Sequence, residues 1–252
     1  MDRLGGKVSI ITGGGSGIGK AVAEIFAAEG SSISIIGRRA DMLKTVAEKI
    51  NSAGGKAIYM PGDVTVLTDV QRLMKTTVET FGRIDVLVNN AAIGDDHRAI
   101  TRLSEEQWDD VINSDLKSVY YTCKEVLSYM EQTGRGSIIN VSSIGGVFGN
   151  TGVSYSAAKS GVLGLTKNIA IQFAGTGIRC NSISPGPTMT GMTPDKMPDI
   201  DMEMLRITGR HINRTICKSL PEDQARVMLF LASDESKSIN GQNIIVDYGT
   251  SL

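Results

Sequence analysis

The sequence predicts an α/β fold in which seven strands build a doubly wound, mainly parallel sheet with helices on both faces. Three observations predict it. Short, β-branched apolar runs recur along the chain, amphipathic stretches of helical length alternate with them, and a glycine-rich turn separates the first run from the first helix.

The first run, Val8-Ser9-Ile10-Ile11, leads into Thr12-Gly13-Gly14-Gly15-Ser16-Gly17-Ile18-Gly19, and a helical pattern over 18–29 follows at once. Glycines there let the backbone reach φ > 0 and approach a ligand closely, while the helix start aims amides at an anion. The expected ligand is a dinucleotide, although the spacing T-G-x-x-x-G-x-G is not the strict G-x-G-x-x-G. Further strands are predicted at 33–36, 57–60, 84–88, 137–141, 178–183 and 243–246, and further helices at 40–53, 66–81, 104–131, 153–174 and 221–232. This alternation implies right-handed crossovers and one Rossmann-type domain over 1–252. Segment 186–216 breaks the pattern with three prolines and five methionines (Met189, Met192, Met197, Met202, Met204), and reads as an inserted substrate lid. Gly13, Asn90, Ser143 and Gly186 each fall just after a predicted strand, where open α/β sheets bind ligands.

Composition narrows the function. With 26 Lys and Arg against 27 Asp and Glu, the formal net charge is −1, and no basic block favours nucleic acid or an anionic membrane. No apolar run approaches the ~18 residues that cross a bilayer and no signal core precedes the first strand, so a cytoplasmic protein is expected. Cys123, Cys180 and Cys217 are far apart and lack partners at ligand spacing, which argues against disulfides and against a metal site.

Ser142-Ser143 end the fifth strand, and Tyr155 and Lys159 lie one turn apart on one face of the next helix. An ammonium beside a phenol favours the phenolate, so Tyr155 is suited to exchange a proton with a substrate oxygen held by a nearby hydroxyl, Ser143 by preference. The same Tyr-x-x-x-Lys spacing recurs at Tyr120 and Lys124, but there apolar neighbours mid-helix indicate packing in a core or interface. His97 and His211 are read as surface residues.

With these residues in view, the chain resembles the classical short-chain dehydrogenase/reductase family from about Gly6 to Leu252. The likeness rests on Thr12 to Gly19, Asp63-Val64, Asn89-Asn90-Ala91-Ala92, the Ser143, Tyr155 and Lys159 set, and Pro185-Gly186 with Thr190. It implies hydride transfer between a nicotinamide and a secondary alcohol or ketone, with no metal. Tyr155 is then the acid/base, Lys159 binds the nicotinamide ribose and lowers the Tyr155 pKa, and Ser143 orients the substrate oxygen. Gly13, Ser16, Gly17, Ile18 and Gly19 would cradle the cofactor, Asp63 and Val64 contact adenine, Asn90 and Ala91 line its ribose side, and Thr188 lies near the carboxamide with Pro185, Gly186 and Thr190 close by. Asn89 is read as a strand brace. The resemblance also implies a homotetramer built on helices 104–131 and 153–174.

Two departures from the family pattern stand out. Asp115 occupies the place of an Asn that holds a relay water, so it either serves the proton relay with an added charge or is structural. Ser143 lies twelve residues before Tyr155 where thirteen is commoner; Ser142 has the commoner count, while the glycines Gly146, Gly149 and Gly152 align better with Ser143. For the cofactor, Gly37 stands where an NAD-selective acid would sit, and Arg38, Arg39 and Ser16 suit a 2′-phosphate, so NADP is expected over NAD. The methionine-rich lid suits a bulky apolar substrate of hydroxysteroid type, with a 3-oxoacyl thioester or a polyol as rivals. For an acyl carrier, Arg98, Arg102 and Arg135 are too scattered to form a docking patch. A non-catalytic dinucleotide-binding regulator would be expected to lack one of Ser143, Tyr155 and Lys159.

Overall fold

The computed structural model describes residues 2–191 and 199–252. Seven strands, β1 (Val8–Thr12), β2 (Ser32–Gly37), β3 (Lys56–Pro61), β4 (Val86–Asn89), β5 (Gly136–Val141), β6 (Ile178–Pro185) and β7 (Asn243–Val246), form one sheet in the order β3-β2-β1-β4-β5-β6-β7. Every pairing is parallel. The apolar runs are explained by covering on both faces. Ile11, Val88 and Ile139 pack on one side with α1 (Gly17–Ala28) and α2 (Ala40–Ser52), while their neighbours Ile10, Leu87 and Ile138 pack on the other with α3 (Leu67–Phe81).

The predicted helix 104–131 is two helices joined by a π-turn. Ser104 caps α4 (Glu105–Ile112), residues Asn113–Lys117 form the π-turn, and α5 (Ser118–Thr133) continues to a left-handed Gly134. Such wide turns cluster at functional sites, and this one carries Asp115. A short helix absent from the sequence reading, α6 (Ile144–Phe148), starts at Ser143, followed by α7 (Val153–Gln172). The lid contains its own helix, α8 (Met202–Thr208), before α9 (Pro221–Ala232).

One expectation is corrected. α5 and α7 cover the α3 face, but α9 covers the α1 face although β6 to β7 steps the same way along the sheet. The last crossover therefore has the opposite hand. The preference for right-handed crossovers comes from helices packing directly back onto the sheet, and the long lid segment carries the chain round the strand ends before α9 begins.

Candidate active site

The carboxyl ends of β1 to β6 open into one cleft of about 1260 Å³. It spans the point where the chain order reverses between β1 and β4, whose following helices leave over opposite faces of the sheet. All of the sequence-predicted site residues except Gly19 and Asp115 lie along its wall, from Gly13 to Thr190. Gly19 lies beneath it, with Asn90 against it, and Asp115 sits just behind the wall, fully buried.

The cofactor end is built by the glycine turn. Gly13 and Gly17 take φ of 66° and 52°. Thr12 Oγ1 accepts the Asn90 and Ala91 amides at 2.9 Å, and Asn90 Nδ2 donates to the Thr12 carbonyl at 3.0 Å, which locks the turn to the end of β4. The Ser16 side chain makes no cap bond to α1 and no acid lies in the first turn of that helix. Its positive end thus faces the cleft, an arrangement that fits a pyrophosphate. Arg39 Nη2 donates to Ser16 Oγ at 2.9 Å, so Arg39 rather than Arg38 closes the pocket over the turn, and Arg38 lines the cleft beside it. Asp63 Oδ1 accepts Thr65 N–H and Oγ1–H at 2.9 Å, leaving Val64 in the wall. Asn89 is inside the sheet, donating to Asn140 Oδ1 at 2.9 Å and accepting from Thr122 Oγ1 at 2.6 Å, as its reading as a brace requires.

At the other end, Ser143 Oγ accepts the Gly145 amide at 3.0 Å, and Ser143 shares the cleft wall with Tyr155. Ser142 Oγ donates instead to the Lys159 carbonyl at 2.8 Å. Lys159 Nζ donates to the Val141 carbonyl at 3.2 Å, lies 5.5 Å from the Tyr155 ring centroid and faces Asp115 Oδ2 at 3.3 Å. The other Asp115 oxygen accepts the Ile93 amide at 2.8 Å, tying the loop after β4 to the π-turn.

The electrostatics revise one expectation. Burial pushes the Tyr155 phenol above its ordinary range; Lys159 pulls it down, and Asp115 and Asp95 push it up again. The pull of Lys159 has the expected sign, yet burial outweighs it, so Tyr155 is a phenol at neutral pH. Burial works against the Lys159 ammonium, but Asp115 and Tyr155 overcome it and hold the ammonium above its usual range. Burial likewise raises the Asp115 carboxyl, opposed by Lys159 and by the Ile93 amide.

Other readings also change. Of the two packing roles expected for Tyr120 the core is excluded: it is exposed, tilted against Tyr121 on the surface of α5 and outside the cleft, and it is Tyr121 that turns toward the core. His97 lines the cleft with a left-handed φ of 51°, held there by the fold of its loop, whereas His211 is exposed. Of the lid methionines, Met189 and Met202 are exposed and Met204 is half-buried outside the cleft wall, while Met192 and Met197 lie outside the described residues. Among the described residues, those of the lid that line the cleft are Gly186, Pro187, Thr188, Thr190, Gly191 and Ile212. Asp95, also in the wall, carried no sequence signal beyond its place after a strand.

Comparison with known proteins now fixes the family. A family model described as enoyl-(acyl carrier protein) reductase matches residues 13–251. The chain belongs to the classical short-chain dehydrogenase/reductases. It is 41% identical to the 3-oxoacyl-[acyl-carrier-protein] reductase FabG of Thermotoga maritima, over 98% of both chains. It is 34% identical to 3beta-hydroxysteroid dehydrogenase 2 of Eggerthella lenta, over 98% of this chain and 96% of that one. Among solved structures, levodione reductase superposes with a TM-score of 0.91 at 31% identity, covering 99% of each chain. The short-chain dehydrogenase/reductase is therefore an oxidoreductase of CH–OH groups that works with a nicotinamide cofactor.

A charge change at Asp115 tests its part in the site. Asp115→Asn retains an acceptor for Ile93 and removes the anion, which makes Tyr155 easier to ionise. The basic limb of the kcat/KM profile in the reduction direction is expected to move to lower pH, and an unchanged profile with an unchanged rate assigns Asp115 a structural role only.

Proposed function

We propose that this chain interconverts a bulky, apolar secondary alcohol and its ketone with NADP(H), Tyr155 acting as proton donor and acceptor. The observation that carries this reading is the set of Ser143 hydroxyl, protonated Tyr155 phenol and Lys159 ammonium on one wall of the cleft. The bound nicotinamide supplies or accepts the hydride. Tyr155 Oη gives its proton to the substrate oxygen as the alcohol forms, while Ser143 Oγ–H donates to that same oxygen and fixes its position. Lys159 would hold the nicotinamide ribose and stabilises the phenolate left behind, and Asp115 keeps Lys159 charged. Tyr155→Phe is expected to abolish turnover with NADPH binding within a few-fold of wild type, while Tyr120→Phe retains activity. Reversed behaviour of the two variants defeats the assignment.

Preference for NADP over NAD rests on the absence of an acid at Gly37 and on the Arg39 to Ser16 contact beside Arg38. Loss of a charge-assisted phosphate contact costs ~1.5–3 kcal/mol, about tenfold or more in kcat/KM. Arg39→Ala is expected to lower use of NADPH by that factor and to leave NADH almost unaffected; a wild-type enzyme that favours NADH refutes the preference.

An apolar molecule is supported by Ile93, Ile144, Pro187 and Ile212 in the wall, where Asp95, His97 and Thr151 also supply polar groups. The 3beta-hydroxysteroid dehydrogenase relative points the same way. A second reading, reduction of a 3-oxoacyl thioester, is favoured by the exposed cations Arg206, Arg210, Arg214 and Lys218, which follow one another through the end of the lid and just past it with no acid between Leu205 and Ser219 and suit a polyanionic carrier. The residues weighed for that role earlier are otherwise engaged: Arg102 pairs with Asp201, and Arg135 lies 3.9 Å from Asp85 at the opposite end of the sheet. Initial rates on a hydroxysteroid ketone, a 3-oxoacyl thioester, a short ketone and a sugar separate the readings. The steroid is expected to lead, a lead for the thioester selects the second reading, and a lead for the sugar refutes both. By family likeness we also propose a cytoplasmic homotetramer packed through α4, α5 and α7, where Trp108, Tyr120 and Ile171 are exposed.

A further inference from the structure

Helix α7 carries both Tyr155 and Lys159, yet its N-terminus has no cap of its own. Gly152 holds the cap position, no side chain there accepts a hydrogen bond, and the first turn contains no acid. The missing cap comes from 57 positions earlier in the chain: Asp95 Oδ2 accepts the Tyr155 amide and the Ser154 hydroxyl, both at 3.0 Å. The third helical amide is the donor that an ordinary capping side chain serves, and a carboxylate there also complements the helix dipole.

Gly152 has a φ of −65°, open to any residue, so backbone freedom does not demand a glycine. Space does. A Cβ at Gly152 would stand 1.9 Å from Asp95 Oδ1 and 2.1 Å from Oδ2. The carboxylate is itself held in place. Asp95 Oδ1 accepts the His97 amide at 3.3 Å, the Ile93 amide two residues earlier is fixed by Asp115, and Asp96 accepts from Gln107 of α4 at 3.0 Å. The charged and titratable groups around Tyr155 are thus Lys159 on α7, Asp115 on the π-turn, and Asp95 and His97 on the loop after β4.

We infer that Asp95 is the positioning residue of the proton donor, a cap supplied from the loop after β4 that sets where Tyr155 stands, and that Gly152 is present to admit it. The inference rests on the role proposed for Tyr155. Positioning of a reacting group is worth about a hundredfold in rate per ångström of displacement. Asp95→Ala is expected to lower kcat about tenfold to a hundredfold with the KM for NADPH within about twofold, and Asp95→Asn, which keeps an acceptor oxygen, to restore most of the loss. Gly152→Ala, one methyl group larger, is expected to reproduce the Asp95→Ala defect because it expels the carboxylate.

The double variant decides the matter: with Asp95 already removed, the added methyl has nothing to displace, so the paired loss is expected to match either single loss. Losses that multiply, or a wild-type kcat in either single variant, overturn the inference. A kcat loss that merely follows a fall in folded fraction, measured by circular dichroism at the assay temperature, overturns it as well. If Tyr155→Phe is inactive while the Asp95 variants match wild type, this inference alone fails; if Tyr155→Phe is active, the functional reading fails first.

Discussion

An ammonium with 2% of its side chain exposed must meet an anion, and the pairing of Lys159 with the fully buried Asp115 at 3.3 Å organises the catalytic end of the molecule. Removing one partner of such a pair leaves the other charge uncompensated and typically costs ~3–5 kcal/mol. The pair joins α7 to the π-turn between α4 and α5, and through the second Asp115 oxygen to the loop after β4. Lys159 also reaches the last carbonyl of β5. Four separate stretches of chain are held in register by two side chains, and the remaining polar groups of the site hang from those stretches.

The parts legible in the sequence are those fixed by local periodicity. Parallel strands covered on both faces read as apolar runs, and a phosphate turn reads as glycines between a strand and a helix. The tyrosine and lysine were legible because four residues along a helix is a local distance, and context after a strand end separated Tyr155 from Tyr120. What the sequence hid depends on long-range packing. The π-turn looks like ordinary helix in its residues, and which of Arg38 and Arg39 contacts the glycine turn follows from which guanidinium reaches Ser16. Of the α8 methionines Met202 is exposed and Met204 half-buried, and neither reaches the cleft wall.

Segment 93–104 deserves its place among the catalytic elements although no reacting group is assigned to it. Asp201, which caps α8, donates its amide to the Asp96 carbonyl at 2.8 Å and pairs with Arg102, so the lid helix rests on this loop. The same few residues contact the lid, α4, the π-turn and α7. Local stability here is concentrated in polar contacts between loops, whereas the sheet below relies on close apolar packing.

The placement of every reactive group beyond the strand ends separates what the protein does from what keeps it folded. Residues of the lid and of the loops around it contribute little to the two apolar layers that flank the sheet. Lineages can exchange these loops while the frame tolerates the change, and so one architecture comes to serve proteins named for an acyl-carrier reductase, a hydroxysteroid dehydrogenase and levodione reductase. Divergence in substrate is then cheap in stability, and sequence identity over the whole chain tracks descent of the frame more closely than it tracks the molecule being reduced.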